Sequence, residues 1–311
     1  MSGKIYSLII FLALFWVYCL YCGFKNHKKT ITPVEFFIYG RQLPTWVYVI
    51  VATGTIFSCW AFLVQPGLTL LNGFPYATTT LSVIMVSLIS VIFLKKQWML
   101  SKKFGFVTPA EMMASYFKSD LIRILIVVVG IGFAIPFIAM QLSLAGIFLS
   151  ILSDNIIGAG SASLLLGSIL IVYLSLSGIK SLIYIDTLNF LLVIFGIIAL
   201  GFTVYDLVGG WNLLNESLSR ISNIKESLFN IKENYDAYLT VPGTVKTVEL
   251  VNNNSEYDGI WTSSMILTFA FAISGIVMSP SFSMLAFSNR EVKSFATQQV
   301  WFTSFFMGFI L

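Results

Sequence analysis

The chain has 311 residues, of which 57% are hydrophobic and 10% charged, and its mean hydropathy is +0.89. That composition excludes a string of water-soluble domains and describes an all-α polytopic membrane protein. The net charge of +4 points to no nucleic-acid partner, and the sequence carries neither a Gly-rich phosphate loop nor a His-Glu pair.

Residues 5–24 form an apolar run of ~20 residues, long enough to span a bilayer. Its positive charges, Lys25, Lys28 and Lys29, follow the run, the reverse of a cleaved signal peptide. It reads as a first membrane helix with its amino terminus outside. Cys19 and Cys22 lie within it, where burial keeps thiols protonated, and a structural or lipid-facing role is expected.

The second helix, about 43–71, holds Gly54, Thr55, Ser58, Gln65, Pro66 and Gly67 in an otherwise apolar span. Pro66 lacks an amide hydrogen and strains the preceding turn. A backbone carbonyl freed in hydrocarbon must find a partner. Such a helix either lines a cavity that supplies partners, or carries a kink that only shapes packing. A third helix, about 76–94, is closed by Lys95 and Lys96. Thr108, Pro109 and Glu111 match a capping box and open a short surface helix through Phe117.

About 121–153 is long and apolar, with Pro136 and Gln141 inside. Gln141 either lines a site or bonds a neighbouring helix. Helices at about 161–177 and 184–207 are joined by a tight link at 177–180. Asp186 opens the second of these, where the helix dipole favours a carboxylate, or it lies on a cation path. Residues 208–258 turn polar and acidic. Leu214, Leu218, Ile221, Ile224, Leu228 and Ile231 recur at helical spacing, predicting an amphipathic helix on the membrane surface or capping the bundle. About 259–287 is membrane-like again and contains Ser279, Pro280 and Ser281. A polar loop at 288–293 precedes an apolar run that begins near Phe295 and is still running at Leu311. That ending predicts the amino-terminal part of a longer protein.

Eight membrane segments follow, the last incomplete. With the amino terminus outside, most of the 18 Lys and Arg fall inside, leaving Lys4, Arg220, Lys225, Lys232 and Lys246 outside. The expectation is a multi-pass protein of the cytoplasmic (inner) membrane. Two Pro-interrupted, hydroxyl-rich membrane helices, at 65–67 and 279–281, predict a central binding site between them. No His, Cys or carboxylate pair forms a catalytic constellation, so no enzyme activity is expected.

The stretch from Tyr173 to Asn189, with Tyr173, Gly178 and Asp186 in register, resembles the signature of the sodium:solute symporter family. Pro66-Gly67 is similar to that family's first core helix, Gly40-Arg41 to the approach to it, and Gln141 stands where many members carry Gln. The resemblance implies a leucine-transporter-type fold. An extra helix and link (1–42) would precede a first five-helix repeat (43–207). An extracytoplasmic loop (208–258) and a truncated inverted second repeat (259–311) would follow. It implies sodium held partly by the backbone carbonyls of Gly54 and Phe57, in a site incomplete within this chain. It implies a solute close to Ser58, Trp60, Gln65, Gln141, Ser279 and Ser281.

The expected function is sodium-coupled symport of a small organic solute by alternating access. The expected partners are the solute, the sodium ion and the lipid bilayer, with no cofactor beyond the coupling ion. The oligomeric state stays open. Proton coupling in the same fold, and a transporter-like sensor within a larger signalling protein, remain the alternatives.

Overall fold

A computed structural model describes residues 3–27, 32–56, 59–72, 88–228, 267–268, 271–272, 275 and 277–301. The structure is an all-α polytopic membrane protein. The described elements are helices, and the described residues add one isolated parallel bridge, between Leu43 and Asn289.

Among the described residues, four helices are long and apolar enough to cross a bilayer. They are α1 (Gly3–His27), α7 (Asp120–Leu152), α8 (Ala159–Ser177) and α9 (Ile179–Val208). At 1.5 Å per residue even the shortest reaches about 28 Å, close to the hydrocarbon thickness. Their outer faces carry exposed Leu, Ile, Val and Phe, such as Leu14, Val128, Leu164 and Phe195, as a lipid-facing surface requires. Small residues set the closest crossings. At Gly146 of α7, an added Cβ would run into Ser163 of α8, whose hydroxyl donates across to the Leu142 carbonyl at 2.9 Å.

The second predicted helix is two short ones, α3 (Thr45–Ile56) and α4 (Gln65–Asn72), with a π-helix at Trp60–Val64 between them. α3 runs through the centre of the core. Its Tyr48, Val51 and Ala52 are almost fully buried against Trp98, Ile183, Phe282 and Phe295.

Other boundaries moved. The third helix does not close at Lys95 and Lys96. A π-helix at Ser90–Leu94 continues directly into α5 (Lys95–Phe104). Lysine is a good helix former, so a charge pair by itself stops nothing. The stop is Gly105, left-handed at φ 82°, whose N–H donates to the Ser101 carbonyl. Likewise α9 begins at Ile179 rather than near 184. Asp186 therefore lies two turns inside it, and its expected place at the helix amino terminus is withdrawn.

α6 (Pro109–Phe117) opens with the predicted capping box. The Glu111 N–H donates to Thr108 Oγ1, and the Thr108 N–H donates to Glu111 Oε2, both at 3.2 Å. A second box, unexpected, opens α2 (Pro33–Ile38), where Thr32 and Glu35 make the same reciprocal pair. The two share the sequence Thr-Pro-x-Glu, and both helices end on a left-handed residue, Tyr39 and Lys118. Thr32→Ala and Thr108→Ala are each expected to lower stability by about 1 kcal/mol, read as a small Tm decrease by tryptophan fluorescence in detergent.

An amphipathic helix, α10 (Trp211–Leu228), follows α9 as predicted, braced by an Arg220–Glu216 ion pair of 2.7 Å. After it come α11 (Pro280–Phe287) and α12 (Lys293–Trp301). The buried Cys19 and Cys22 pack α1 onto α8 and α9 beside Tyr173 and Ile185, the structural role expected of them.

Alternate connections gather at one end of the bundle, rich in Lys and Arg. There α2 meets Gly178, and Lys180 stands 3.7 Å from Glu35. Arg41 reaches the end of α5, and Lys102 reaches the loop before α12.

Candidate functional site at two helix breaks

The first interruption follows α3. Thr53 and Thr55 donate back to the carbonyls of Val49 and Val51, at 2.5 and 2.7 Å, a pattern that bends helices. Pro66 is the second residue of α4 and cannot donate to the turn before it. The looser π-helix at Trp60–Val64 stands where that strain falls. Gln65, the first residue of α4, is buried. Phe57 and Ser58 lie outside the described residues, as does the Trp60 side chain.

What holds this interruption is Gln141, on α7. The Cys59 N–H donates to Gln141 Oε1 at 2.9 Å. A backbone donor in the least regular part of the helix thus finds its acceptor on a neighbouring helix. The other end of the same amide, Nε2, is buried and has no hydrogen-bond partner among the described residues. Of the two roles open to Gln141, the interhelix bond is present, and a spare donor is left beside it.

The second interruption is Ser279. Val277 and Met278 are helical, Ser279 is extended (φ −62°, ψ 152°), and Pro280 opens α11. Ser279 caps nothing with its hydroxyl. Its Oγ instead lies 3.0 Å from Ser281 Oγ, so these two expected site residues are brought together. Ser279 and Pro280 line a cavity of about 540 Å³, with Phe93, Gln97, Gly130 and Phe133 among the other walls. None of its described lining residues is charged.

α7 passes both interruptions. An added Cβ at Gly130 would lie 3.3 Å from Pro280 Cγ. Gly130 and Gln141 are eleven residues apart, which at 100° per residue returns to within about 20° of the same face. One stripe of α7 therefore faces both breaks, at points about 16 Å apart along its axis. Gln141 thus belongs to the first break, and Ser279 and Ser281 to the second.

Gly54 occupies the last turn of α3, where it crosses α9. A Cβ there would meet Phe190 Cβ at 3.5 Å and the Asp186 carbonyl oxygen at 3.9 Å. Glycine keeps this crossing close.

At the basic end the two interrupted segments are stitched together. The Leu43 N–H donates to the Ser288 carbonyl at 2.9 Å, and the Arg290 N–H returns to the Leu43 carbonyl at 3.1 Å. Trp98 Nε1 donates to the Asn289 carbonyl at 2.9 Å. Arg41 donates to the carbonyls of Ser101 and Phe106, at 2.7 and 2.9 Å. By sequence, 288–293 is a short polar loop. No local pattern marks a main-chain pairing between segments 246 positions apart.

A family model described as "Sodium:solute symporter family" matches residues 36–282, well over half of the chain and inclusive of both interruptions. The chain belongs to the sodium:solute symporter family. Comparison with curated proteins and with solved structures produced no match. Membership makes this multi-pass membrane protein a transporter whose class couples a solute to sodium, with the solute and the ion as its partners. It also places Tyr173, Gly178 and Asp186 inside the matched region, as the symporter signature implied.

Proposed function

We propose that this symporter carries a small organic solute into the cell down a sodium gradient by alternating access. The observation that supports this reading best is the shared wall. One face of α7 holds the first helix break through Gln141 and abuts the second at Pro280. Two segments weakened at Ser279 and around Trp60 can hinge against that wall without breaking long helices.

In this reading, carbonyls of Gly54 and Phe57 contribute to the sodium site, whose remaining ligands come from elsewhere. The last turn of a helix presents carbonyls without helical partners, which suits a cation. The solute lies near Ser58, Trp60, Gln65, Gln141, Ser279 and Ser281. Sodium favours the outward-open state and pre-forms the pocket. The amino terminus lies outside, and the basic end faces the cytoplasm, in keeping with the charge distribution.

The test is uptake of labelled amino acids, sugars and carboxylates into proteoliposomes, with and without an inward sodium gradient. Sodium-driven accumulation of one compound is expected, and Ser279→Ala is expected to weaken it about fivefold, as for one lost hydrogen bond. Uptake that ignores sodium and follows a proton gradient would overturn the coupling. Saturable binding with no uptake would overturn transport itself and favour a sensor.

A further inference from the structure

The cavity at the second break has walls that suit one kind of occupant. Its volume of about 540 Å³ is that of a small-molecule site. Most of the wall is apolar: Phe93, Met113 from α6, Phe133 from α7, and Met278 just before the break. Among its described lining residues only Gln97 and Ser279 have polar side chains. Gln97, on α5, is 6% exposed, and Ser283 Oγ donates to its Oε1 at 2.9 Å. Ser283 is itself fully buried, so the carboxamide is held at its oxygen. The end of the amide left for the cavity is Nε2, a donor.

A charged group entering this cavity would be buried without a counter-charge, at a large desolvation cost. Sodium does not supply one there. Its proposed carbonyl position at Gly54 belongs to the first break, and the two breaks meet α7 at points about 16 Å apart. A sugar would bury several hydroxyls against Gln97 and Ser279 alone, and most would go unpaired. An apolar body carrying one carbonyl oxygen is matched instead, with rings and thioethers around the body and Nε2 on the oxygen. We propose that this cavity binds an uncharged solute with an aromatic or branched aliphatic body and one carbonyl oxygen, and that Gln97 selects it by donating from Nε2. The proposal rests on the symport reading only for the fate of the bound solute. Which chemistry binds follows from the walls of the cavity.

The test is ligand-observed fluorine NMR of the full chain in nanodiscs, with empty nanodiscs as the blank. The probes are para-fluorophenylacetamide and its charged isostere para-fluorophenylacetate. The amide is expected to bind saturably and at least tenfold more tightly than the acetate. Gln97→Met is expected to weaken amide binding about tenfold, as for one lost hydrogen bond. Met113→Trp fills the cavity and is expected to abolish it. If Gln97→Met does not fold, Met113→Trp and the amide–acetate comparison in the natural chain carry the test. No saturable amide binding, or acetate binding as tight, overturns the proposal. Amide binding that survives both variants overturns it too, because the probe then sits elsewhere. Sodium-driven uptake into proteoliposomes separates this failure from that of symport. Cavity-dependent amide binding without sodium-driven uptake of any compound overturns the symport reading and leaves the cavity assignment standing. Sodium-driven uptake of a sugar or a charged solute, unchanged in Met113→Trp, overturns the cavity assignment alone.

Discussion

Gly178→Ala is expected to destabilise the protein by about 3 kcal/mol or more. Gly178 joins α8 to α9 at φ 58° and ψ −138°, a backbone region that only glycine enters without strain of order 1–3 kcal/mol. An added Cβ would also strike the Phe36 carbonyl oxygen and two of its ring carbons at 2.9 Å. Phe36 cannot yield easily. It sits in α2, whose first turn is tied by the Thr32–Glu35 box, and its N–H donates to the Thr32 carbonyl at 3.0 Å. The glycine in the family signature is therefore a contact between the α8–α9 corner and α2, as well as a turn. Thermal unfolding in detergent should show Tm falling by several degrees. Gly132→Ala is the control: its Cβ meets nothing within 4 Å, so helix propensity alone should leave Tm level or slightly raised. Equal Tm values for the two variants would show that the corner is not constrained in this way.

Gln141→Leu is expected to reduce sodium-driven uptake by tenfold or more. The change removes the acceptor for the Cys59 N–H and leaves a backbone donor unpaired at the first break. An orphaned buried donor costs about 1–3 kcal/mol, and in hydrocarbon no bulk water relieves it. The break then relaxes, and with it the geometry of the proposed solute and sodium positions that flank it. Gln141→Glu keeps an oxygen acceptor for the same N–H and should retain more uptake than Gln141→Leu. The two readings of Gln141 separate by kinetics. A variant that only loosens the break changes sodium dependence and solute KM together. One that loses a direct contact from Nε2 raises solute KM alone. Uptake by Gln141→Leu equal to that of the natural chain would remove Gln141 from the mechanism.

Much of this architecture is legible in the chain because hydrocarbon leaves a helix few choices. Every backbone group must be paired internally, so an apolar run of 20 or more residues declares its structure. That is why α1, α7 and α8 lie within a residue or three of their expected bounds, and why Thr108-Pro109-Ala110-Glu111 announced its box. The same logic marked both interruptions, since a proline withholds a donor wherever it sits. Readings that relied on charge fared worse. Lys95 and Lys96 did not end their helix, and Asp186 did not open its own, because charges decorate helices while caps terminate them. The Thr32 box was equally legible, since Thr32-Pro33-Val34-Glu35 follows the same Thr-Pro-x-Glu pattern.

The sequence by itself determined the all-α membrane class, most of the helix bounds, the places where helices break and the family signature. These are local consequences of hydropathy, missing N–H groups and capping chemistry. Only the tertiary structure decided which helix serves which break. It assigned Gln141 to the first and Gly130 to the second, closed the clasp between Leu43 and the 288–290 segment, and turned Gly178 from a turn residue into a packing contact. Such pairings depend on which faces meet across segments far apart in the chain. No periodicity encodes that; it follows from the packing of the helices against one another.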